Sequence, residues 1–555
     1  MKKFVSLILT IALCLSLVTV SAQAEEDPAF QKFDHVVEVH IGMAVEPTDV
    51  TLEDGDTVDN NYYTRYLLDN YNIKVIVDWT AASGDDYNQK VALSIASDSL
   101  PDAMVVSDRT YFMAAAEDDM LYDLKDVFDR YASQQVKDIY ATTKGKAEEM
   151  VTMGGKMLAL ANISVASDGV LVLMAQQNWL DDLGIATPTT VEELHDAAVA
   201  IRDAKPAGDR TIPILGAQKD SRVYADFLHS NFSYGFDPIF AAKNAYPGYF
   251  VLDENGQVQY GTLSSETREV LELLAGWYAE GLIDPEFATR DYSSDVVSAN
   301  ECGFFCGPWW ALGYGNGDSF KNSETVDWQA YPLFTDDGVW NAKMKTVGTS
   351  YTLVNCDASE ETAIAVVMMN NILVAKESLF QNETAEDIEW YPLRNVNAAM
   401  DECEYTYAAE ISVLNGETEP EDWQNEPNYK LLAADTQVVR SIVPGYKKGE
   451  LLHRSDFLYT PETESNFQRQ YALLIGDRPY ATVELNNPVY SVTYTTNETI
   501  DRYWANLEAL EGSVIRSIIT GKSDISAFDA FVEQWLAEGG EKILQSVQEE
   551  YDASR

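Results

Sequence analysis

The sequence predicts an α/β fold in which mainly parallel sheets are flanked by helices. Two observations carry this. Over residues 36–106, short β-branched runs alternate with stretches of helical periodicity, the β-α-β-α-β pattern of a parallel sheet covered on both faces. Further along, segments with apolar residues at i, i+3, i+4 and i+7 recur and end at glycine, as amphipathic helices do.

In chain order, Val36, Val37, Val39 and Ile41 form a strand run that stops at Gly42. Asp59 is placed to cap a helix carrying Tyr62, Tyr63, Tyr66 and Leu67. Ile73–Val77 reads as a second strand ending at Asp78-Trp79, and Asp85 starts a helix with Tyr87, Val91 and Ile95 inward. Met104–Val106 is a third strand, followed by the polar loop Ser107-Asp108-Arg109. Leu158–Ala161 and Val170–Met174 bracket a polar stretch, Asn162–Gly169.

The stretch Asn178–Asp203 reads as helix, stop, turn and capped second helix. Trp179, Leu180 and Leu183 give the first apolar face, Gly184 the left-handed stop, and Pro188 bars continuation. Thr190 precedes Glu193 by three residues, the spacing of a reciprocal cap, and Val191, Leu194, Ala198 and Ile201 form one face. Arg222–Ser230 is expected to be helical, Tyr246–Tyr249 a turn, and Phe250–Tyr260 a hairpin around Asp253-Glu254-Asn255-Gly256. Ser264 caps a helix with Val270, Leu273, Leu274 and Trp277 inward, stopped by Gly281. Residues 356–380 hold a helix with Ala363, Val366, Val367 and Ile372 on its apolar side. Residues 400–465 are acidic, contain Pro420, Pro427 and Pro461, and read as a long surface excursion with short helices. Tyr480–Tyr494 is strand-like, Ile500–Ile519 is a helix ended by Gly521, and Ile525, Phe528, Val532, Trp535 and Leu536 form the face of the next.

Four stretches in order resemble one family. They are Ser97-Asp98-Ser99-Leu100-Pro101-Asp102, Trp179-Leu180 through Pro188-Thr189-Thr190 to Glu192-Glu193-Leu194, Glu280-Gly281-Leu282-Ile283-Asp284-Pro285, and Gly307-Pro308-Trp309-Trp310. The chain thereby resembles extracellular solute-binding proteins, the receptors of ABC importers, in the family that includes maltose-binding protein. Asp98 stands where that family usually has glycine. The likeness covers about residues 33–310, with a weaker match over 500–540. It implies a two-lobed fold of type II, each lobe a mainly parallel sheet flanked by helices, with the ligand cleft between lobes. The expected organisation is signal peptide 1–24, first lobe 25–162, second lobe 163–346, a return to the first lobe over 347–490, and second-lobe helices over 491–555. It also implies capture of a carbohydrate, an oligosaccharide, by hinge closure for delivery to the permease subunits of an ABC importer.

The bulk numbers agree with export and argue against several other classes. Lys and Arg total 38 against 90 Asp and Glu, a net charge of −52, which repels phosphate backbones and disfavours nucleic acid. Lys2 and Lys3, the apolar run Val5–Val20 and Ala22-Gln23-Ala24 form a secretory leader cleaved near Ala24. Cleavage leaves about −54 by the same count. Many relatives from Gram-positive bacteria carry a Leu-x-x-Cys lipid box, whereas Cys14 lies inside Leu13-Cys14-Leu15 without one, so ordinary cleavage and release are expected. No further segment is read as long and apolar enough to span a membrane. Cys302, Cys306, Cys356 and Cys403 remain, allowing three pairings, and the four-residue spacing of Cys302 and Cys306 leaves a local bridge open beside free thiols.

Ligands of parallel sheets sit beyond the carboxyl ends of strands, which singles out Glu46, Trp79, Asp108 and Arg109. Trp309 and Trp310 follow Gly307-Pro308 in a turn, and neighbouring indoles on extended chain point oppositely, so one is free for a cleft, where a sugar's C–H face would pack on it. The resemblance adds an aromatic on the helix 500–519, Trp504, with Glu508 the competing position. Enzymatic signals are weak. His35, His40, His195, His229 and His453 form no cluster, and neither a nucleophile elbow nor a phosphate-binding loop is present. The expectation is a monomeric, non-catalytic receptor without cofactor or metal. The alternatives are a secreted carbohydrate-active enzyme such as a glycosidase, and a peptide or other small-solute receptor.

Overall fold

The structure, a computed structural model, describes residues 27–45, 52–219, 221–229 and 234–553. The leader 1–24, Glu46 and Ser230 lie outside the described residues.

The chain opens with β1 (Val37–Val45), α1 (Tyr62–Tyr71), β2 (Ile73–Ala82), α2 (Asp85–Ala96), β3 (Ala103–Val106) and α3 (Arg109–Glu117), with β1 parallel to both β2 and β3. Gly42 does not end the first strand. The register slips there, with Ile41 opposite Val77 and Gly42 opposite Trp79, and β1 continues to Val45. The glycine is needed for close approach, because a Cβ on it would fall 2.2 Å from Trp79 Cζ2. β2 likewise runs past Asp78-Trp79 to Ala82. Helix α1 is capped by Asn61 rather than Asp59. Its Oδ1 accepts from Tyr63 N at 3.0 Å and Thr64 N at 3.1 Å, while Asp59 takes the Thr57 hydroxyl. Asp98 sits at φ +51°, a left-handed conformation that glycine adopts without strain.

After β4 (Ala159–Ala161) the chain crosses into a second sheet. This begins with β5 (Val172–Gln176), α4 (Gln177–Leu183), α5 (Val191–Ala204) and β6 (Ile212–Ile214). Gly184 ends α4 at φ +66°, and Thr190 Oγ1 accepts from Glu193 N at 3.2 Å. The reciprocal arm of that cap is displaced by one residue. Glu193 Oε2 accepts from the amide and hydroxyl of Thr189, at 2.8 and 2.7 Å. Leu183, expected inward, is exposed. Residues 221–229 form turns and no helix, because Asp226 diverts the local amides of Leu228 and His229 to its carboxylate. The hairpin β7 (Phe250–Leu252) and β8 (Val258–Tyr260) and helix α6 (Ser265–Ala279) capped by Ser264 follow as expected, and β9 (Cys302–Gly307), which the sequence did not single out, comes after them. Next come β10 (Trp328–Tyr331) and β11 (Asn341–Met344).

The chain then returns to the first sheet as β12 (Tyr351–Val354) and α7 (Glu360–Glu383). Residues 360–380 are long and apolar enough to cross a membrane, contrary to expectation, yet 72% of that window is buried inside the first lobe. The helix is apolar all round because β1 and neighbouring helices cover it. A last crossing leads to α8 (Glu402–Leu414), α9 (Leu432–Ile442), α10 (Glu464–Tyr471), α11 (Arg478–Thr482) and β13 (Asn487–Tyr490), and the chain closes with α12 (Glu498–Ile519), α13 (Ser526–Trp535) and α14 (Glu541–Ala553). The expected surface excursion over 400–465 is therefore a packed layer. Val413, Val439, Ile442 and Phe457 share a core with Val172, Phe305 and Trp328 of the second sheet. Its periodicity is hidden because Glu402, Thr406, Glu410 and Asp435 are buried where apolar residues would mark an inner face. Of the strand-like run 480–494 only Asn487–Tyr490 is strand, paired in parallel with β11.

The two sheets have orders β2-β1-β3-β12-β4 and β10-β5-β9-β6. β5 sends Leu173 and Ala175 to one core and Val172 and Met174 to another, so the second sheet is buried on both faces. Cys302 and Cys306 lie four residues apart along extended β9, a span of about 13 Å that excludes a bridge. All four cysteines are free thiols.

Three segments join the lobes, and they are bound to one another. Ser164 N donates to Val347 O at 2.9 Å, Asn162 Oδ1 accepts from Thr349 N and Ser350 N at 2.8 Å each, Ala166 N donates to Met400 O at 2.8 Å and Ala398 N to Ile163 O at 2.9 Å. Gly348 permits the contact, since a Cβ there would lie 1.9 Å from Asn162 O. The pairing also orients both sheets. β12 is antiparallel to β3 and β4, with Tyr351 opposite Val106 and Ala161, so the carboxyl ends of β1, β2 and β3 lie on the hinge side. In the second sheet Gly307 is opposite Val172, and β6 runs parallel to β9, so both end on the hinge side too.

Candidate ligand-binding site

Strand polarity thus brings the residues after β3 and those after β9 to facing edges. In the first lobe, Trp79 lies half-buried over Gly42, tilted against Tyr87 with ring centroids 5.5 Å apart, and the Lys90 ammonium stands 5.7 Å from its ring. Asp108 caps α3, one of its oxygens accepting from Thr110 N at 2.8 Å, and is exposed. Arg109 is the first residue of α3 and half-buried. Its Nε has no hydrogen-bond partner among the described residues, and Glu550 of the second lobe is the opposing charge. The lobes meet here, with Thr110 Oγ1 3.4 Å from Thr496 Oγ1.

In the second lobe, Pro308 leads into a single 3-10 turn, Trp309–Leu312, rather than extended chain. The two indoles still diverge. Trp309 is 7% exposed, donates its Nε1 to Asp168 Oδ1 at 2.9 Å, and has the Arg469 guanidinium 5.3 Å from its ring. Trp310 is half-exposed and borders two cores. Asp168 sits on the first crossing, and its other oxygen is 3.3 Å from Lys345 Nζ on the second crossing. Trp309 is therefore tied to the hinge, and Trp310 is the more exposed of the two indoles.

Helix α12 contributes differently. Trp504 is buried, edge-on to Phe227 and Tyr260 with centroids 4.9 and 5.7 Å away, and serves the core. Glu508 is ion-paired to Arg222, which also holds Asp226. One turn on, Glu511 is wholly enclosed and accepts from the hydroxyls of Tyr224 at 2.7 Å and of Tyr260 and Thr262 at 3.0 Å. Burial pushes its carboxyl up to about 7. Asp168, Lys345 and Arg469 were not singled out from the sequence. Asp168 lies within the polar stretch read as a crossing, but its partners come from residues more than 140 positions away.

Comparison with known proteins bears on this arrangement. Residues 53–367 match the family model for bacterial extracellular solute-binding proteins. The fructooligosaccharide ABC transporter substrate-binding protein FusA of Streptococcus pneumoniae serotype 4 is 24% identical over 239 residues, which is 41% of this chain and 42% of that protein. The aligned stretch is thus less than half of either chain. Three solved structures share the fold. An HMO binding ABC-transporter associated solute-binding protein from Bifidobacterium longum infantis has a TM-score of 0.58 at 16% identity, covering 94% of this chain and 99% of that one. The alginate-binding protein AlgQ2 without calcium ion has a TM-score of 0.53 at 17% identity, with 94% and 99% covered. FusA in complex with kestose has a TM-score of 0.50 at 16% identity, with 93% and 99% covered. The architecture is that of two-lobed solute-binding proteins, with the two sheets as the lobes.

Proposed function

The chain belongs to the bacterial extracellular solute-binding protein family, and from that membership we propose that it is the extracytoplasmic receptor of an ABC importer and captures an oligosaccharide between its lobes. The observation that carries the reading is the pair of facing strand edges. Both converge on a three-segment hinge, with Trp79 and Arg109 on one side and Trp310, backed by Trp309, on the other. Aromatic faces pack on sugar C–H groups, and a guanidinium can donate to sugar hydroxyls. FusA in complex with kestose and the HMO binding protein support the ligand class.

In this reading ligand bridging both lobes shifts the population toward the closed form, which the permease subunits recognise. The protein acts as a monomer and leaves its ligand chemically unchanged. Glu46 and Asp108 belong to the proposed first-lobe edge, whereas Trp504 and Glu508 are left out of the site because each is committed to structure. The leader is cut near Ala24, and the mature chain works outside the cytoplasm.

Thermal unfolding against a panel containing kestose, longer fructans, milk-type oligosaccharides, alginate oligomers and peptides tests this. Saturation at 100-fold over Kd adds about 2.7 kcal/mol to the native state. The best binder should be recovered intact after prolonged incubation, and Trp310→Ala should weaken it about tenfold or more, equivalent to about 1.4 kcal/mol. Stabilisation by peptides alone, or hydrolysis of the bound sugar, would refute the proposal.

A further inference from the structure

A group of acids is packed behind Trp309 on the second-lobe side of the hinge. Asp477, which precedes α11, is wholly buried, and neither of its carboxylate oxygens has a hydrogen-bond partner among the described residues. Its backbone lies directly on the tryptophan turn, because a Cβ on Gly476 would meet Trp309 O at 2.1 Å. Facing it from the first crossing are Asp168 and Ser167, whose hydroxyl is also buried and approaches without closing a well-directed hydrogen bond. From α8 come Glu404, one of whose oxygens is unpartnered, together with Cys403 and Tyr407. Arg469 faces it from α10 and Tyr480 from its own helix, while Asp401 faces Glu404.

The countercharge is short. Arg469 is committed to Asp435, with contacts of 2.8, 3.2 and 3.3 Å. Lys345 reaches the group only through Asp168. Neither Asp477 nor Glu404 has an ion-pair partner among the described residues, and a buried carboxylate without donors is tolerated only when neutral. The Ser167 hydroxyl favours ionised Asp477, and burial outweighs it.

We propose that this group is a proton-operated latch on the hinge: protonated Asp477 and Glu404 hold the lobes closed, and loss of those protons favours opening. Ser167 and Asp168 lie on a crossing segment, and such segments absorb the backbone rotation when lobes part. The described arrangement is one in which the lobes also touch beside Arg109, through Thr110 and Thr496. Rotation of the crossing admits water to the acids and lowers their proton affinity, so the closed form binds more protons. Burial pushes Asp477 up to about 7 and Glu404 up to about 9. Closure is then favoured below neutrality and weakened as pH rises through that range. The latch rests on the two-lobed hinge and needs no particular ligand.

The test is small-angle scattering of the unliganded mature protein from pH 5.5 to 9. The radius of gyration should rise with pH in the wild type and stay at its compact value in Asp477→Asn/Glu404→Gln. Glu511→Gln, a buried acid held by Tyr224, Tyr260 and Thr262, should keep the wild-type response. An invariant wild-type radius, or an equal rise in the double variant, overturns the latch. If the double variant fails to fold, Glu404→Gln alone must reduce the response. Infrared spectra of the wild type at pH 7 must also contain the carbonyl band of an un-ionised carboxylic acid, and its absence overturns the proposal without any variant. None of these readouts uses an oligosaccharide, so a panel without binders would leave the latch standing, and failure of the latch would leave the receptor reading intact.

Discussion

Lys343→Met should destabilise the second lobe by about 3–5 kcal/mol, the range for removing one partner of a buried ion pair. Lys343 lies on β11 with a side chain only 4% exposed, and its Nζ is 2.6 Å from Asp237 Oδ1. It also donates to the carbonyls of Pro247, at 2.7 Å, and Ala225, and stands 4.7 Å from the Tyr249 ring. Methionine keeps most of the stem volume, so packing is a small part of the loss. What remains is a carboxylate sealed among apolar groups, bonded by the Ala225 amide, at 3.0 and 3.1 Å, and by its own backbone amide. Two carbonyls also lose their donor, at about 1 kcal/mol each. Burial already holds the Asp237 carboxyl above its ordinary range, against the pull of Lys343. Without the lysine it rises further, so the variant should recover stability relative to wild type as pH falls from 7 to 5. Urea unfolding followed by tryptophan fluorescence measures this for Lys343→Met, Asp237→Asn and the double variant. Coupling of about 2 kcal/mol is expected, so that the double variant costs less than the two single losses together. A single-variant loss under about 1 kcal/mol, or additivity within about 0.5 kcal/mol, would refute the reasoning.

Three further outcomes are expected. Gly348→Ala should lower the melting temperature through a loss of about 1–3 kcal/mol, because its Cβ would fall 1.9 Å from Asn162 O where two crossings touch; an unchanged melting curve would show that the hinge segments are not packed as described. Trp504→Ala should cost about 3–5 kcal/mol from the second-lobe core while the folded fraction keeps its sugar affinity; loss of affinity without loss of stability would return Trp504 to the cleft. His453 is raised by its hydrogen bond to Asp327, at 2.6 Å, against partial burial. Its contribution is therefore full below the ordinary histidine value of 6.5 and fades as pH rises through the raised one. His453→Gln should flatten that part of the melting-temperature profile between pH 6 and 9, and an unchanged slope would contradict the pairing.

Local chemistry made much of the fold legible. Helix ends written by short motifs are where they were expected, at Gly184, Ser264, Gly281 and Gly521, because a left-handed glycine or a hydroxyl cap acts over three or four residues. The helix 360–383 and the hairpin at Asp253–Gly256 were equally plain. Where a position answers to a distant partner, reading failed. Gly42 resembles a strand end until Trp79 is laid across it, and Asp59 resembles a cap until Asn61 is seen to reach both amides. The layer 400–465 resembles a surface excursion because its inner face carries buried Glu402, Thr406 and Glu410 in place of apolar residues.

The same division runs through the site. Strand order along the first lobe and the Gly-Pro-Trp-Trp turn are local matters, and the sequence alone was enough to nominate Trp79, Arg109, Trp309 and Trp310. Which indole is the more exposed depends on Asp168 holding Trp309, and whether Trp504 meets ligand or core depends on Phe227 and Tyr260. Those contacts join residues 141, 277 and 244 positions apart. Periodicity and capping report only on neighbours within a turn or two of chain, so such pairings become visible only when the folded backbone brings the partners together.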